Sequence, residues 1–381
     1  MSRWLKLMVA VFMVFALVPA VPARALSETP PVLCDNSGLQ ASGAIYCIKM
    51  PSSVPWNGGL VVFAHGYVSV TEPVGIPWDQ MYLKDGAYIP DVVNSLGYAF
   101  ATTSYSQNGL AVVQGQDDIS DLLKIFKSLH SKPVRAYLVG ASEGGLITTL
   151  MIEKHPEKFN GGMALCGPVG NFNKQINYWG KFRVAFDYYF PGVLPPTATR
   201  IPQSVIENWD TATKPGILYA LSTANPITIG KLLTVTGAPI DPTDPATSTG
   251  STVLGLLWYN VFATNNGRIV LHGQPFDNHD TQYLDPYLNQ GVQRFTADGK
   301  ALKIINIIYQ TSGKLSTPLV TMHTTLDPIV PAWHETLYGK KVLANKGSAA
   351  HYLNISVERY GHCNFTSGEV LGAFSWLVSQ P

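Results

Sequence analysis

The sequence predicts an α/β protein in which a mostly parallel sheet, covered by helices, is interrupted by one large insertion. Three observations carry this. Buried-strand and amphipathic helical patterns alternate over residues 60–166, the rhythm of helices covering a parallel sheet. Within it, residues 134–145 pass from an apolar strand pattern through Gly140-Ala-Ser142-Glu-Gly144 into a helical one. After 162–166 the rhythm stops until Pro318, an interval far longer than a crossover needs.

The elements follow in order. Residues 43–50 read as an edge strand, and 60–64 as a buried strand ending in His65-Gly66-Tyr67. Ile89, Val92, Val93 and Leu96 share a helical face that Gly97 ends, before a strand over 98–103. A helix runs from Asp117 to about His130, with Asp117 and Asp118 in its first turn. Residues 135–139 are the strand that feeds Ser142, 143–155 the helix behind it, and 162–166 the next strand.

The insertion opens on an aromatic helical stretch over 171–190, containing Phe172, Ile176, Trp179, Phe182, Phe186 and Phe190. Such a stripe packs a small cap, and another face can meet a substrate. Trp179, Phe182 and Phe186, with Tyr67 from the core, are the candidate contacts. Proline and threonine over 237–252 predict an exposed loop. Residues 273–280 are acidic, yet their spacing matches no calcium loop and suits a turn held by side-chain to backbone bonds. The sheet resumes over 318–325, followed by Asp327, a helix over 333–343, a strand over 351–360, His362 on a loop, and a last helix carrying Val370, Phe374 and Leu377. The expected organisation is a core of 26–166 and 319–381 and a mainly helical cap of 167–318.

Of the 381 residues, 46% are hydrophobic and 13% charged, enough for one large core with a sizeable insertion. A net charge of +1 without a basic tract beyond the N-terminus excludes a nucleic-acid surface. Arg3 and Lys6, an apolar region from Leu7, and Ala23-Arg-Ala25 read as a signal peptide, 1–25. Pro19 and Pro22 interrupt it too early for a membrane anchor. The expected location is therefore secreted or periplasmic, without stable membrane insertion. Export makes cysteines informative. Cys34 and Cys47 flank a short segment and suit one disulfide. Cys166 and Cys363 follow strands at one rim, either as a second bridge or as two buried thiols.

The chemistry centres on Ser142. A serine on a tight strand-to-helix turn needs small residues two before and two after it, and Gly140 and Gly144 supply them. Its hydroxyl needs a base, for which His362 is the candidate, with Asp327 holding the imidazole. The backbone N–H groups of Tyr67 and Glu143 are the candidate oxyanion donors. Asp327 could instead cap a helix, and His362 could be an ordinary loop residue. His65 is expected to shape its turn and His323 to pack beside the acid. The Glu143 side chain either orients a neighbouring loop or binds a substrate cation. No cofactor or metal is called for by these residues.

The elbow Gly140-Ala-Ser142-Glu-Gly144, the turn His65-Gly66-Tyr67, the acid in Asp327-Pro-Ile-Val-Pro331 and the base in Tyr360-Gly-His362-Cys-Asn-Phe365 resemble the α/β-hydrolase superfamily. The resemblance covers essentially the whole mature chain. It implies that fold, a serine triad in the order Ser, Asp, His, and a cap where superfamily caps enter. Gly145 is similar to the second glycine of secreted polyester depolymerases, feruloyl-type esterases and prolyl-oligopeptidase-like peptidases. The expected activity is hydrolysis of an apolar or aromatic carboxylic ester, small or polymeric, through an acyl-enzyme. The alternatives are a serine exopeptidase, which needs a carboxylate for a free amine, and a secreted binding protein that keeps the fold.

Overall fold

The computed structural model describes residues 34–381, so the expected signal peptide lies outside the described residues. Eight strands form one sheet: β1 (Asn36–Leu39), β2 (Ile45–Lys49), β3 (Gly59–Ala64), β4 (Ala99–Thr103), β5 (Arg135–Ala141), β6 (Gly161–Leu165), β7 (Leu319–Leu326) and β8 (Tyr352–Tyr360). Their spatial order is β1-β2-β4-β3-β5-β6-β7-β8. All neighbours from β4 to β8 pair parallel, whereas β1–β2 and β2–β4 are antiparallel. Residues 43–50 are thus not the edge strand expected. That edge is β1, too short and polar to announce itself, held to β2 by the Cys34–Cys47 disulfide with Cα atoms 5.4 Å apart.

Helices α1 (Ile89–Ser95), α2 (Val112–Leu129) and α3 (Glu143–Lys154) alternate with the strands. Side chains on β5 point alternately to the two faces. Ala136 and Leu138 join the cluster holding Leu122 and Phe126 of α2 and Leu146 and Leu150 of α3, while Tyr137 meets Phe374 with ring centroids 5.6 Å apart. The sheet is therefore covered on both sides. Helix α2 starts at Val112, ahead of the acidic pair that suggested Asp117, and Gly115 lets its first turn pack close against Ile147 and Tyr105.

Between β6 and β7 lie α4 (Phe172–Tyr189), α5 (Gln203–Glu207), α6 (Lys214–Thr223), α7 (Pro226–Thr236), α8 (Pro245–Val270), α9 (Pro286–Gly291) and α10 (Gly299–Ile304). They build a large helical cap with its own apolar cluster. The expected loop over 237–252 ends early, for α8 begins at Pro245. Asp244 accepts a hydrogen bond from the Thr247 N–H, and proline occupies the first helical position, where no donor is needed. The 273–280 turn is held as expected: Asp277 accepts from the His279 and Ala297 N–H groups at 3.1 and 3.0 Å. Helix α11 (Trp333–Ala344) follows β7, and α12 (Ser367–Ser379) follows β8. Among the described residues, no helix is long and apolar enough to cross a membrane.

Candidate active site

Strand β5 delivers Ser142 at φ 56° and ψ −120°, outside the negative-φ range ordinary side chains adopt. The neighbouring glycines make this turn possible. A Cβ on Gly140 would strike the Gly144 carbonyl, and one on Gly144 the Ala64 carbonyl. Gly145 lets α3 approach β6, where a Cβ would lie 2.9 Å from the Leu165 oxygen. The sharp turn leaves the hydroxyl at the C-terminal rim of the sheet, where α/β folds place ligands.

His362 and Asp327 reach the same rim from β8 and β7. Ser142 Oγ lies 2.9 Å from His362 Nε2, and His362 Nδ1 lies 2.6 Å from Asp327 Oδ2. Asp327 Oδ1 accepts from the Ile329 and Val330 N–H groups at 2.8 and 3.0 Å. Burial alone raises the carboxyl pKa, but the imidazoles of His362 and His323 bring Asp327 down to about 2. The structure thus brings all three sequence-selected residues together, and Asp327 is no mere helix cap.

His323 is buried between two carboxylates, 3.5 Å from Asp327 Oδ2 and 3.0 Å from Glu335 Oε1. Burial opposes its charge, yet hydrogen bonds and attraction to Asp327 and Glu335 raise it to about 10. It packs beside the acid, as expected, and stands there as an imidazolium. Glu335, which had no sequence signal beyond a place in α11, also accepts from Asn354 at 2.6 Å.

Gly66 faces the nucleophile, and a Cβ there would lie 3.1 Å from Ser142 Cβ. Gln80 clasps this turn, accepting from the Gly66 N–H at 2.8 Å and donating to the Tyr67 carbonyl at 3.2 Å. His65 shapes it as expected: Nδ1 bonds the Gly66 carbonyl at 2.7 Å, the ring stacks on Tyr105 at 3.8 Å, and burial lowers its pKa to about 4. Among the described residues, no protein acceptor takes the Tyr67 or Glu143 backbone N–H, and both residues line the pocket beside Ser142.

That pocket is overwhelmingly apolar. Trp179 lines it, stacked on Tyr259 with centroids 4.8 Å apart. Phe182 and Phe186 do not. Both are fully buried inside the cap cluster, which corrects their expected role as substrate contacts. Tyr259, hidden in the sequence within the apolar run 253–262, brings its hydroxyl close to Ser142. Burial and the carboxylates of Asp327 and Glu143 keep that phenol protonated.

Glu143 Oε1 accepts from the Ala111 N–H at 2.7 Å, so its side chain orients the loop before α2. Desolvation raises its carboxyl to about 8 against the pull of that bond. Cys166 and Cys363 are bridged, with Cα atoms 5.3 Å apart. Their sulfurs and His362 lie close enough to suggest a metal group, but a disulfide offers no thiolate ligand.

The chain has the α/β-hydrolase fold, and the rim of its sheet brings a serine, a histidine and an aspartate into one hydrogen-bonded series. A family model described as "Hydrolase_4: Serine aminopeptidase, S33" matches residues 111–213, which include the elbow. Two solved structures from Aspergillus oryzae are similar in fold. An esterase is 15% identical with a TM-score of 0.55, the match covering 89% of this chain and 77% of that one. Feruloyl esterase B is 16% identical with a TM-score of 0.51, covering 90% and 80%. An acylaminoacyl peptidase from Pyrococcus horikoshii matches at 12% identity and a TM-score of 0.42 over 88% of this chain, which spans only 37% of that protein's length. No curated protein matches the chain.

Proposed function

We propose that this protein is a secreted or periplasmic serine carboxylic-ester hydrolase acting on an apolar or aromatic ester. The observation that carries the reading is the hydrogen-bonded series Ser142, His362, Asp327 opening onto an apolar pocket. Ser142 Oγ attacks the ester carbonyl carbon while His362 Nε2 takes its proton. Asp327 stabilises the imidazolium, and the Tyr67 and Glu143 N–H groups receive the oxyanion. The imidazolium protonates the departing alkoxide, leaving Ser142 acylated. Water then loses a proton to His362 as it attacks the acyl carbon, and the imidazolium returns that proton to Ser142 Oγ as the acyl bond breaks and the acid departs. The N-terminal pattern and two disulfides support the location.

A serine exopeptidase is the second reading, favoured by one observation: Glu143 places a buried carboxyl in the pocket, a potential partner for a substrate amine. Its raised pKa, to about 8, weighs against this, since a neutral carboxyl attracts no cation. Purified mature protein and Ser142→Ala are assayed on nitrophenyl esters of increasing acyl length, a feruloyl ester and an amino-acid anilide. Serine-dependent ester turnover supports the first reading, and turnover of the anilide alone replaces it with the second.

A further inference from the structure

The pocket has a direction. Tyr259, Ala263, Gly267 and Leu271 all line it, and their spacing of four puts them in one row along α8 that ends at its C-cap, Leu271. The row starts beside Ser142, where Tyr259 sits. At the rise of an α-helix it reaches Gly267 after about 12 Å and Leu271 after about 18 Å. The facing helix follows the same path, for Trp179 stacks on Tyr259 and Phe172, two turns earlier in α4, lines the pocket too. Side chains along the α8 row shrink from tyrosine to alanine to nothing, then close with leucine.

The two amides along this slot have their polar atoms occupied elsewhere. Asn260 accepts from Arg183 and donates to the Ala198 carbonyl at 2.7 and 3.0 Å. Gln274 donates to the Phe276 carbonyl at 2.8 Å, and Arg268 gives one N–H to the Thr199 carbonyl at 2.7 Å. The slot is therefore walled mostly by apolar surface. Gly267 is its open point, since a Cβ there would meet no atom within 4 Å.

We infer that the α8 row is a ruler for a linear apolar acyl chain and that Gly267 sets the length accepted. The inference rests on the ester-hydrolase reading and adds to it the class of acyl group. Gly267 lines the slot and a Cβ there meets nothing within 4 Å, so a side chain at 267 has room to start into it, and replacing a helical glycine by alanine or leucine favours the helix.

The test compares Gly267→Ala and Gly267→Leu with the parent on nitrophenyl butyrate and decanoate. The ratio of kcat/KM for decanoate to that for butyrate should fall in the order parent, alanine, leucine, by tenfold or more at leucine if about two buried methylenes are displaced. In parallel, Ser142→Ala, with and without Gly267→Leu, is titrated with methyl decanoate and methyl butyrate by isothermal titration calorimetry, after circular dichroism shows that both variants are folded. Loss of decanoate preference in the leucine variant supports the ruler even where no ester is hydrolysed, a result that sinks the ester-hydrolase reading alone. An unchanged chain-length preference in both assays overturns the ruler while leaving serine-dependent ester turnover intact.

Discussion

At the scale of the residue, the site is a row of titrating groups whose charges are fixed by their neighbours. Asp327 carries an imidazole on each side, His362 toward the serine and His323 toward Glu335. His323 is raised from 6.5 to about 10, so the stability of its charged form is complete below about 6.5 and is lost as pH rises through about 10. Denaturant midpoints of the parent should therefore drop on approaching that pH, and His323→Gln should lose this component. Removing the positive charge behind Asp327 should also move the acid limb of kcat/KM to higher pH. Glu143 gives the opposite dependence in the pocket. Its carboxyl ionises near 8, above which an anion faces an apolar acyl group, so KM for neutral esters should climb. Glu143→Gln keeps the backbone donor and should flatten that climb. Ser142→Ala should lower kcat by several powers of ten, as loss of a triad serine does elsewhere.

The elements differ in how much of their role the sequence discloses. Ser142, Asp327 and His362 were legible because each follows an apolar strand, and parallel strands deliver their ends to one rim. Helix α4 was legible as a helix but not in its partners. Phe182 and Phe186 occupy one stripe and Trp179 with Ile176 the adjacent one. Helical periodicity cannot say which stripe meets the cap and which the pocket. The start of α8 was obscured because proline and threonine signal a turn as readily as a helix N-terminus. Helices α4 and α8 are joined by a buried cation that composition also conceals. Arg183 is 1% exposed and binds Asp187 at 2.8 Å and Asn260 at 2.7 Å. Arg183→Met strands the Asp187 carboxylate, which burial already pushes to about 6. A loss of about 3–5 kcal/mol is expected, and adding Asp187→Leu should recover part of it in thermal or denaturant unfolding.

Across the whole molecule, the triad draws on three strands of one sheet, β5, β7 and β8, while the cap, inserted in the chain between β6 and β7, lines the pocket. The disulfide from Cys166, just beyond β6, to Cys363, beside the base, spans the end of β7. Cys363 holds φ 51° and Cys166 φ 47°, so both loops bend sharply where they are tied. Cys166→Ala/Cys363→Ala should lower kcat more than it disturbs the sheet, and the parent should lose activity in reductant and regain it on reoxidation. Unfolding should cost about 2–5 kcal/mol less without the bridge. A chain kept in its dithiol form should thus acquire its sheet and cap and yet show little turnover. On the ester-hydrolase reading, the tie beside His362 would then act as a timer: protein folded in reductant should begin to cleave esters only once an oxidant is added.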